Sequence, residues 1–389
     1  MIKIKLWLLA AGLAVCSSLT AKDEEQGEQF SVATLNVDGL PQRLLVLKVN
    51  PEGPGNGGTA RIGKYLSRKS YDLVMTQEDF NYHDVLTAWM EDDYRMDEWS
   101  GDVEVVERKI DYLHLQNHRF GCDGLMAFWK NDLTVTPSGR TAWRQSFGKF
   151  SHANDEMVTK GFRRYEVTLR GGTRIVMYNM HMDAADEEDE IACNDAKDRM
   201  ARMAQWAQLK EDVLANLDSR PVIIVGDMNS FYGRDDVKRA FIDSINESGR
   251  GTVADAWVEL QQNGEYPDFR NTETGQSSIP NGRWYAKGET LDKILYINPA
   301  MGTQIKAVAF SVDREGLVYD GKKLSDHYPV AATFEVVLPQ TTGLGATSDD
   351  AGGVSDEKFY RLDGQRVSQP RNGIFIEQNG EKADIRVIK

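Results

Sequence analysis

The chain has 389 residues, of which 41% are hydrophobic and 27% charged, a globular balance that excludes a disordered or fibrous protein. Its formal net charge of -14 repels polyanions at long range and argues against a dedicated basic nucleic-acid binder. A local site or a bound cation can still reverse that field.

The chain opens with Lys3 and Lys5, an apolar run from Leu6 to Val15, and small residues as far as Ala21. This run is shorter than the roughly 20 residues needed to span a bilayer. Residues 1–21 therefore read as a secretory signal peptide, and the protein is expected to be exported: secreted, periplasmic or on the outer surface. Leu13-Ala14-Val15-Cys16 is similar to a lipoprotein processing box, so lipidation at Cys16 is the alternative. Two further cysteines, Cys122 and Cys193, either form one disulfide or stay as thiols.

Strand-like runs alternate with helical segments up to about residue 337. Phe30–Asn36, Asp72–Gln77, Gly124–Trp129, Phe162–Leu169, Arg174–Met180, Val222–Gly226, Leu291–Ile297, Lys306–Val312 and Val330–Val337 are rich in Val, Ile, Phe and Tyr. Several are apolar throughout, as expected of strands covered on both faces. Asp198–Leu217 is the clearest helix, with Met200, Met203, Trp206, Val213 and Leu217 spaced as a core stripe. Arg61–Arg68 and Asp84–Met90 are shorter helices. Pro51–Thr59 is Gly-rich, lacks the lysine of a phosphate-binding loop, and reads as a flexible loop near the site.

Composition changes after Pro339. Residues 339–356 are rich in Gly, Ser, Thr and Asp, which suits a linker. Residues 357–389 carry three short strand-like pieces with Asp-Gly and Asn-Gly turns, a small β tail. The tail resembles the short C-terminal β-domains on exported proteins of type IX secretion systems; the other reading is a hairpin packed on the main domain.

The chemistry-bearing residues lie at the ends of the apolar strands, in LNVDGLP, TQEDF, NMHMD, GDMNS, LDKI and SDHYP. Glu78, Asp227 and Asp326 are hard oxygen donors, and Asn36 and Asn229 are neutral ones. That set suits Mg2+, with Mn2+ or Ca2+ as alternatives, better than zinc. His181 and His327 can move protons near neutral pH. Together these groups suit hydrolysis of a phosphate ester. Taken singly, each motif is a common turn or a solvated strand end. The signal is the occurrence of all six in order.

The ordered set resembles the endonuclease/exonuclease/phosphatase superfamily over residues 28–338, with GDMNS and SDHYPV the most specific pieces. The resemblance implies a four-layer α/β sandwich of two mixed sheets with helices outside. It also implies roles for the matching residues. Glu78 would be the principal metal ligand, with Asn36 and Asp326 on the metal side. Asn36 would also help hold the phosphate. His327 would be the general base, oriented by Asp292. His181 would stabilise the phosphoryl group or aid protonation of the leaving group, Asp227 would orient the water or bind a second metal, and Asn229 would hold a phosphoryl oxygen.

Within that superfamily the chain is most similar to the sphingomyelinases. LNVDGLP resembles their opening motif. NDEMVTKGFRRYEVTL resembles their Lys-Gly pair, which would put Lys160 near the substrate phosphate. The segment holding Cys193 resembles their acidic, cysteine-bearing loop. The stretch before Asp326 is shorter than the aromatic hairpin that secreted bacterial members use for membrane contact, so any transient membrane docking would use other residues such as Trp284 and Tyr285. The expected activity is hydrolysis of a phospholipid head group, by a monomer. The alternatives are a secreted nuclease or general phosphoesterase using Arg119, Arg144, Lys149, Arg163 and Arg164, and a catalytically silent surface-binding module.

Overall fold

A computed structural model describes residues 27–44, 47–100, 122–148, 152–185, 196–234, 236–267 and 286–337, plus four strands of the tail. The expected signal segment 1–21 with Cys16, the expected linker 339–356, Cys193, Arg119, Lys149, Trp284 and Tyr285 lie outside the described residues. The chain divides into two compact units, Met1–Leu338 and Pro339–Lys389. In the second, strands Lys358–Tyr360, Arg366–Val367, Gly373–Asn379 and Lys382–Ile388 form one antiparallel sheet, four strands where the sequence suggests three pieces.

Twelve strands build the two large sheets of the first unit. They are β1 (Gln29–Asn36), β2 (Leu73–Gln77), β3 (Tyr94–Met96), β4 (Met126–Lys130), β5 (Thr134–Ala142) and β6 (Gly161–Thr168), then β7 (Arg174–His181), β8 (Val222–Asp227), β9 (Gly251–Asp255), β10 (Asp292–Pro299), β11 (Gln304–Val312) and β12 (Val330–Val337). One sheet has the order β11-β12-β1-β2-β4-β3 and the other β9-β10-β8-β7-β6-β5. Both are mixed: β1 runs parallel to β2, and β7 parallel to β8, while the other neighbours are antiparallel.

Side-chain alternation along each strand sorts the core into layers. Phe30, Val32, Leu73 and Met75 of the first sheet pack against Tyr165, Ile175, Met177, Ile223, Val225 and Ile294 of the second. The opposite faces carry helices. Ala33, Leu35, Val74 and Phe128 pack with Ile62 and Leu66 of α1 (Gly55–Lys69) and Leu86 of α2 (His83–Thr87). Tyr178, Val222, Ile224 and Leu295 pack with Trp206, Leu209 and Val213 of α3 (Ala196–Asn216). The layers run helix, sheet, sheet, helix. No helix of the described residues is long and apolar enough to cross a membrane.

Two local expectations fail. Helix α1 begins at Gly55, so half of the Gly-rich 51–59 stretch is helical. Close packing accounts for a glycine further along: a Cβ on Gly63 would lie 2.6 Å from the carbonyl of Leu86. In α3, Met200 is 71% exposed, and the buried face carries Arg202, Gln205 and Gln208 instead. These polar side chains hold loops. Gln205 accepts from the Asp183 N–H at 2.9 Å and donates to the Gln145 carbonyl at 2.8 Å. Gln208 accepts from Arg144 N at 2.8 Å.

Between the apolar core and the strand ends lies a buried polar layer. Thr34 and Gln77 bond each other, and Gln77 Nε2 crosses to Asn179 Oδ1 of the other sheet at 2.7 Å. Asn179 returns two bonds, to the carbonyls of Thr76 and Met126 at 3.0 and 2.9 Å. At the same level Arg163 is fully buried, with Nε 2.6 Å from Asp123 Oδ2 and Nη1 2.7 Å from Asp97 Oδ2. Burial acts to raise the Asp123 carboxyl, but Arg163 outweighs it and holds the group below its ordinary value. A depressed carboxyl contributes stability above its unfolded value of about 3.9, which is lost as pH falls through the folded value. Asp123→Asn should therefore cost about 3–5 kcal/mol at pH 7, because it breaks a buried ion pair and leaves the Arg163 guanidinium with Asp97 as its one charged partner among the described residues. Urea denaturation over a pH series should also show a shallower acid limb for this variant than for wild type.

Candidate functional site

The alternation that fills the core delivers polar groups at the strand ends. On β1 it places Asn36 on the same inner face as Phe30 and Val32, and on β7 it does so for His181, two residues past Asn179. Asp227 ends β8 and lies in register with His181 on β7 and with Asp292 at the start of the antiparallel β10. The register of β1 with β2 pairs Asn36 with Gln77, so Glu78 follows directly. Asp326 and His327 precede β12, tied to β1 through Ser325: its Oγ donates to the Asn36 carbonyl at 2.7 Å and accepts from His327 N at 3.0 Å.

Asp227 Oδ2 is the hub. It accepts from Asn36 Nδ2 at 3.0 Å, and His181 Nε2 and His327 Nε2 lie 3.3 and 3.5 Å away. Its Oδ1 accepts from the Asn229 backbone N–H at 3.1 Å. Asn36 Nδ2 also donates to Glu78 Oε1 at 3.0 Å, and His181 Nε2 stands 3.9 Å from the same oxygen. On the far side of His327, Nδ1 meets Asp292 Oδ2 at 2.8 Å. Asp326 is an outlier: its side chain is 73% exposed, with Oδ1 3.9 Å from His327 Nε2. Asn229 turns its amide away from Asp227, donating to the Met182 carbonyl at 3.0 Å. Lys160 is buried; its Nζ donates to the same carbonyl at 3.2 Å and pairs with Asp155.

Charge in the cluster is strongly coupled. Burial opposes ionisation of Asp227, but His327, His181 and Lys160 together hold its carboxyl well below the usual range. Burial raises the Asp292 carboxyl. Burial also opposes a charged His327, yet Asp292 and then Asp227 lift the imidazole well above the ordinary histidine value.

The backbone around the cluster is bent into unusual shapes. Asp38, Glu78 and Asn229 have φ values of 51°, 55° and 45°, the left-handed region that costs a non-glycine residue about 1–2 kcal/mol. Each follows a strand that ends at the site. Gly226, φ 144°, lets β8 approach β7 so closely that a Cβ would sit 1.9 Å from the Met180 carbonyl.

Two residues at the site escape a motif reading. Asp38 donates its N–H to Asn36 Oδ1 at 2.9 Å, and its carboxylate accepts from Asn50. Burial, then Asp326 and Glu78, push that carboxyl up to about 8. His83 lies buried behind Glu78 against Asp79. Neither has a signature beyond its place in LNVDGLP or after TQEDF.

Asp227, Asp292 and His327 present ligand atoms within 4.8 Å of one another. Because His327 Nδ1 and Asp292 Oδ2 already bond each other, this trio reads as an oriented imidazole rather than a cation seat. The donors that fit a hard cation are across the hub, where the Glu78 carboxylate stays 20% exposed beside Asn36 and Asp227.

The sequence pattern of the Endonuclease/Exonuclease/phosphatase family matches residues 33–327, a span that contains every residue of this cluster. The chain belongs to the Endonuclease/Exonuclease/phosphatase family. Among individual proteins similar to this chain, the sphingomyelinase of Mycobacterium tuberculosis is 26% identical over 320 residues, 82% of this chain and 55% of that protein. A putative neutral sphingomyelinase of Caenorhabditis elegans is 25% identical over 202 residues, 52% of this chain and 41% of that protein. The chain thus spans about half the length of the curated relatives it matches. Among solved structures, beta toxin 275-280 from Staphylococcus aureus gives a TM-score of 0.48 at 18% identity, covering 78% of this chain and 99% of that one. D. rerio TDP2 with a single strand DNA product gives 0.49 at 16%, covering 79% and 99%.

Gly226→Ala should destabilise the protein by more than about 2 kcal/mol, because the new methyl group collides with backbone rather than with a movable side chain. Thermal and urea melts of purified protein check this.

Proposed function

We propose that this protein is a divalent-cation-dependent phosphodiesterase acting on a phospholipid head group, with sphingomyelin, cleaved to ceramide and phosphocholine, as the substrate. The observation that carries the reading is the convergence on Asp227 Oδ2 of Asn36, His181 and His327, groups from three separate strand ends. The sphingomyelinase relatives and the acidic charge of the chain favour a lipid head group over nucleic acid.

His327 is the base in this reading. A carboxylate only accepts hydrogen bonds; Nδ1 lies 2.8 Å from Asp292 and Nε2 3.5 Å from Asp227, so when the imidazole is neutral the hydrogen stays on Nδ1 at the shorter contact and Nε2 presents its lone pair to the cleft. Nε2 takes the proton of a water attacking phosphorus. The same logic gives His181 an Nε2–H, since that atom faces Asp227 and Glu78. It is placed to donate to a phosphoryl oxygen or to the departing alcohol oxygen as the P–O bond breaks.

Glu78, with Asn36 and Asp326 nearby, would hold the cation. The hard oxygens suit Mg2+ or Mn2+, and the crowding of Glu78, Asp227 and Asp326 in one cleft, which with burial pushes Asp38 up to about 8, asks for a counter-cation. When bound, a divalent ion polarises a phosphoryl oxygen and opposes the carboxylate field that keeps His327 protonated. Lys160, held near Met182, adds positive charge felt by Glu78 and Asp227. We further propose that residues 1–21 direct export.

Two of the basic residues that a nuclease would use are otherwise engaged: Arg163 is locked between Asp97 and Asp123, and Arg144 pairs at the surface with Glu211. A panel of sphingomyelin, phosphatidylcholine, plasmid DNA and a phosphomonoester, with Mg2+ or with EDTA, tests the reading. Sphingomyelin should turn over fastest, and only with Mg2+. Faster cleavage of DNA would replace the lipid reading with a nuclease. Glu78→Gln and His327→Ala should each lower turnover by about 10²- to 10⁴-fold with the circular dichroism spectrum unchanged. Near-wild-type turnover in either would remove the mechanism.

A further inference from the structure

We infer that His83, acting through Asp79 and Trp99, is a positioning residue that holds the left-handed backbone of Glu78 in the conformation required for cation binding. This rests on the reading above, in which Glu78 faces the cation.

Glu78, like Asp38, sits on a turn just past a strand end, whereas Asp227 and Asp292 lie within strands. The Glu78 φ of 55° is disfavoured for any residue with a Cβ. Left to itself, the segment would relax to a right-handed or extended conformation and swing the carboxylate away from Asn36. Something must hold it, and local hydrogen bonds supply part of the restraint. The Glu78 carbonyl accepts from Gly39 N at 3.0 Å and from Phe80 N at 2.8 Å.

The next residue is clamped at every polar group. Asp79 N donates to the Gly124 carbonyl at 2.9 Å, and its own carbonyl accepts from Trp99 Nε1 at 2.8 Å. Its carboxylate, 1% exposed, meets His83 Nδ1 at 2.6 Å. The His83 ring in turn lies flat on Trp99, with centroids 4.6 Å apart and planes 1° apart. The same indole thus grips the Asp79 main chain with its N–H and supports the Asp79 side chain through the imidazole. Gly124 completes the fit: a Cβ there would lie 2.6 Å from the Phe80 ring and 3.2 Å from the Glu78 Cα. None of His83, Asp79 or Trp99 is needed for the reaction as described, yet two ionisable side chains are buried here beside the principal cation ligand. A purely apolar plug would fill the space without desolvating them.

The test uses the full chain and measures Mn2+ binding by isothermal titration, with thermal melting in parallel. His83→Phe keeps the stack on Trp99 and removes the bond to Asp79. It should weaken Mn2+ binding by about 10- to 100-fold, the range for groups that orient metal ligands. Turnover should return toward wild type as Mn2+ is raised. His83→Asn keeps an N–H donor at the Nδ1 position and should recover part of the affinity. Trp99→Phe, which loses the indole donor, should weaken binding as well. If His83→Phe is poorly folded, His83→Asn and Trp99→Phe decide the matter. Wild-type Mn2+ affinity in the folded variants, even with a lowered melting temperature, would overturn the inference while leaving the proposed function intact. Failure of the wild-type protein itself to bind Mn2+ would overturn both.

Discussion

The hydrogen bond from Gln77 to Asn179 joins the two sheets immediately beneath the site, and the geometry above it depends on that crossing. Apolar contacts between sheets tolerate small slips because they have no preferred direction. A buried amide does not: leaving one donor or acceptor unpaired costs about 1–3 kcal/mol. Thr34, Gln77 and Asn179 therefore fix β1 and β2 against β7 at one height. One residue further along those strands come Glu78, and two further come Asn36 and His181. The distances among them follow from the layer below.

Above that layer, one carboxylate oxygen organises the chemistry. Asp227 Oδ2 faces an amide and two imidazoles, and its partner oxygen is tied to the Asn229 turn. Positive neighbours keep this group ionised despite burial, whereas Asp38 and Asp292 are shifted the other way. Carboxyls in one cleft are thereby set apart in proton affinity by their surroundings rather than by their chemistry. The bent turns at Asp38, Glu78 and Asn229 belong to the same arrangement, since strain is tolerated where the surrounding structure over-determines it.

Much of this was legible in the sequence. All nine strands read from apolar runs are present, because strands covered on both faces need near-continuous Val, Ile and Leu. Of the described strands in the two large sheets, the three that were missed are all at sheet edges. Thr134–Ala142 contains Pro137, Ser138 and Gly139 and is largely exposed, and Tyr94–Met96 is only 3 residues long. Gly251–Asp255 is likewise an edge strand with a mixed face. The α3 stripe holds at Trp206, Val213 and Leu217 and fails at Met200, and it omits Gln205 and Gln208, buried for the loops they hold, which hydrophobic spacing cannot reveal. The strand-end motifs named the cluster residues. His83 was not legible, since its importance lies in what it touches, and no spacing marks it.

The tie from Ser325 to Asn36 spans 289 residues, and β12 completes the first sheet by inserting between β1 and β11. The opening strand of the domain cannot gain its antiparallel neighbour until almost all of the catalytic unit has left the ribosome. Non-local pairing of this kind is slow to form. Assembly of the cleft is thereby deferred to the end of synthesis or later, and a nascent chain that already holds Asn36 and Glu78 still lacks the His327 side of the cluster.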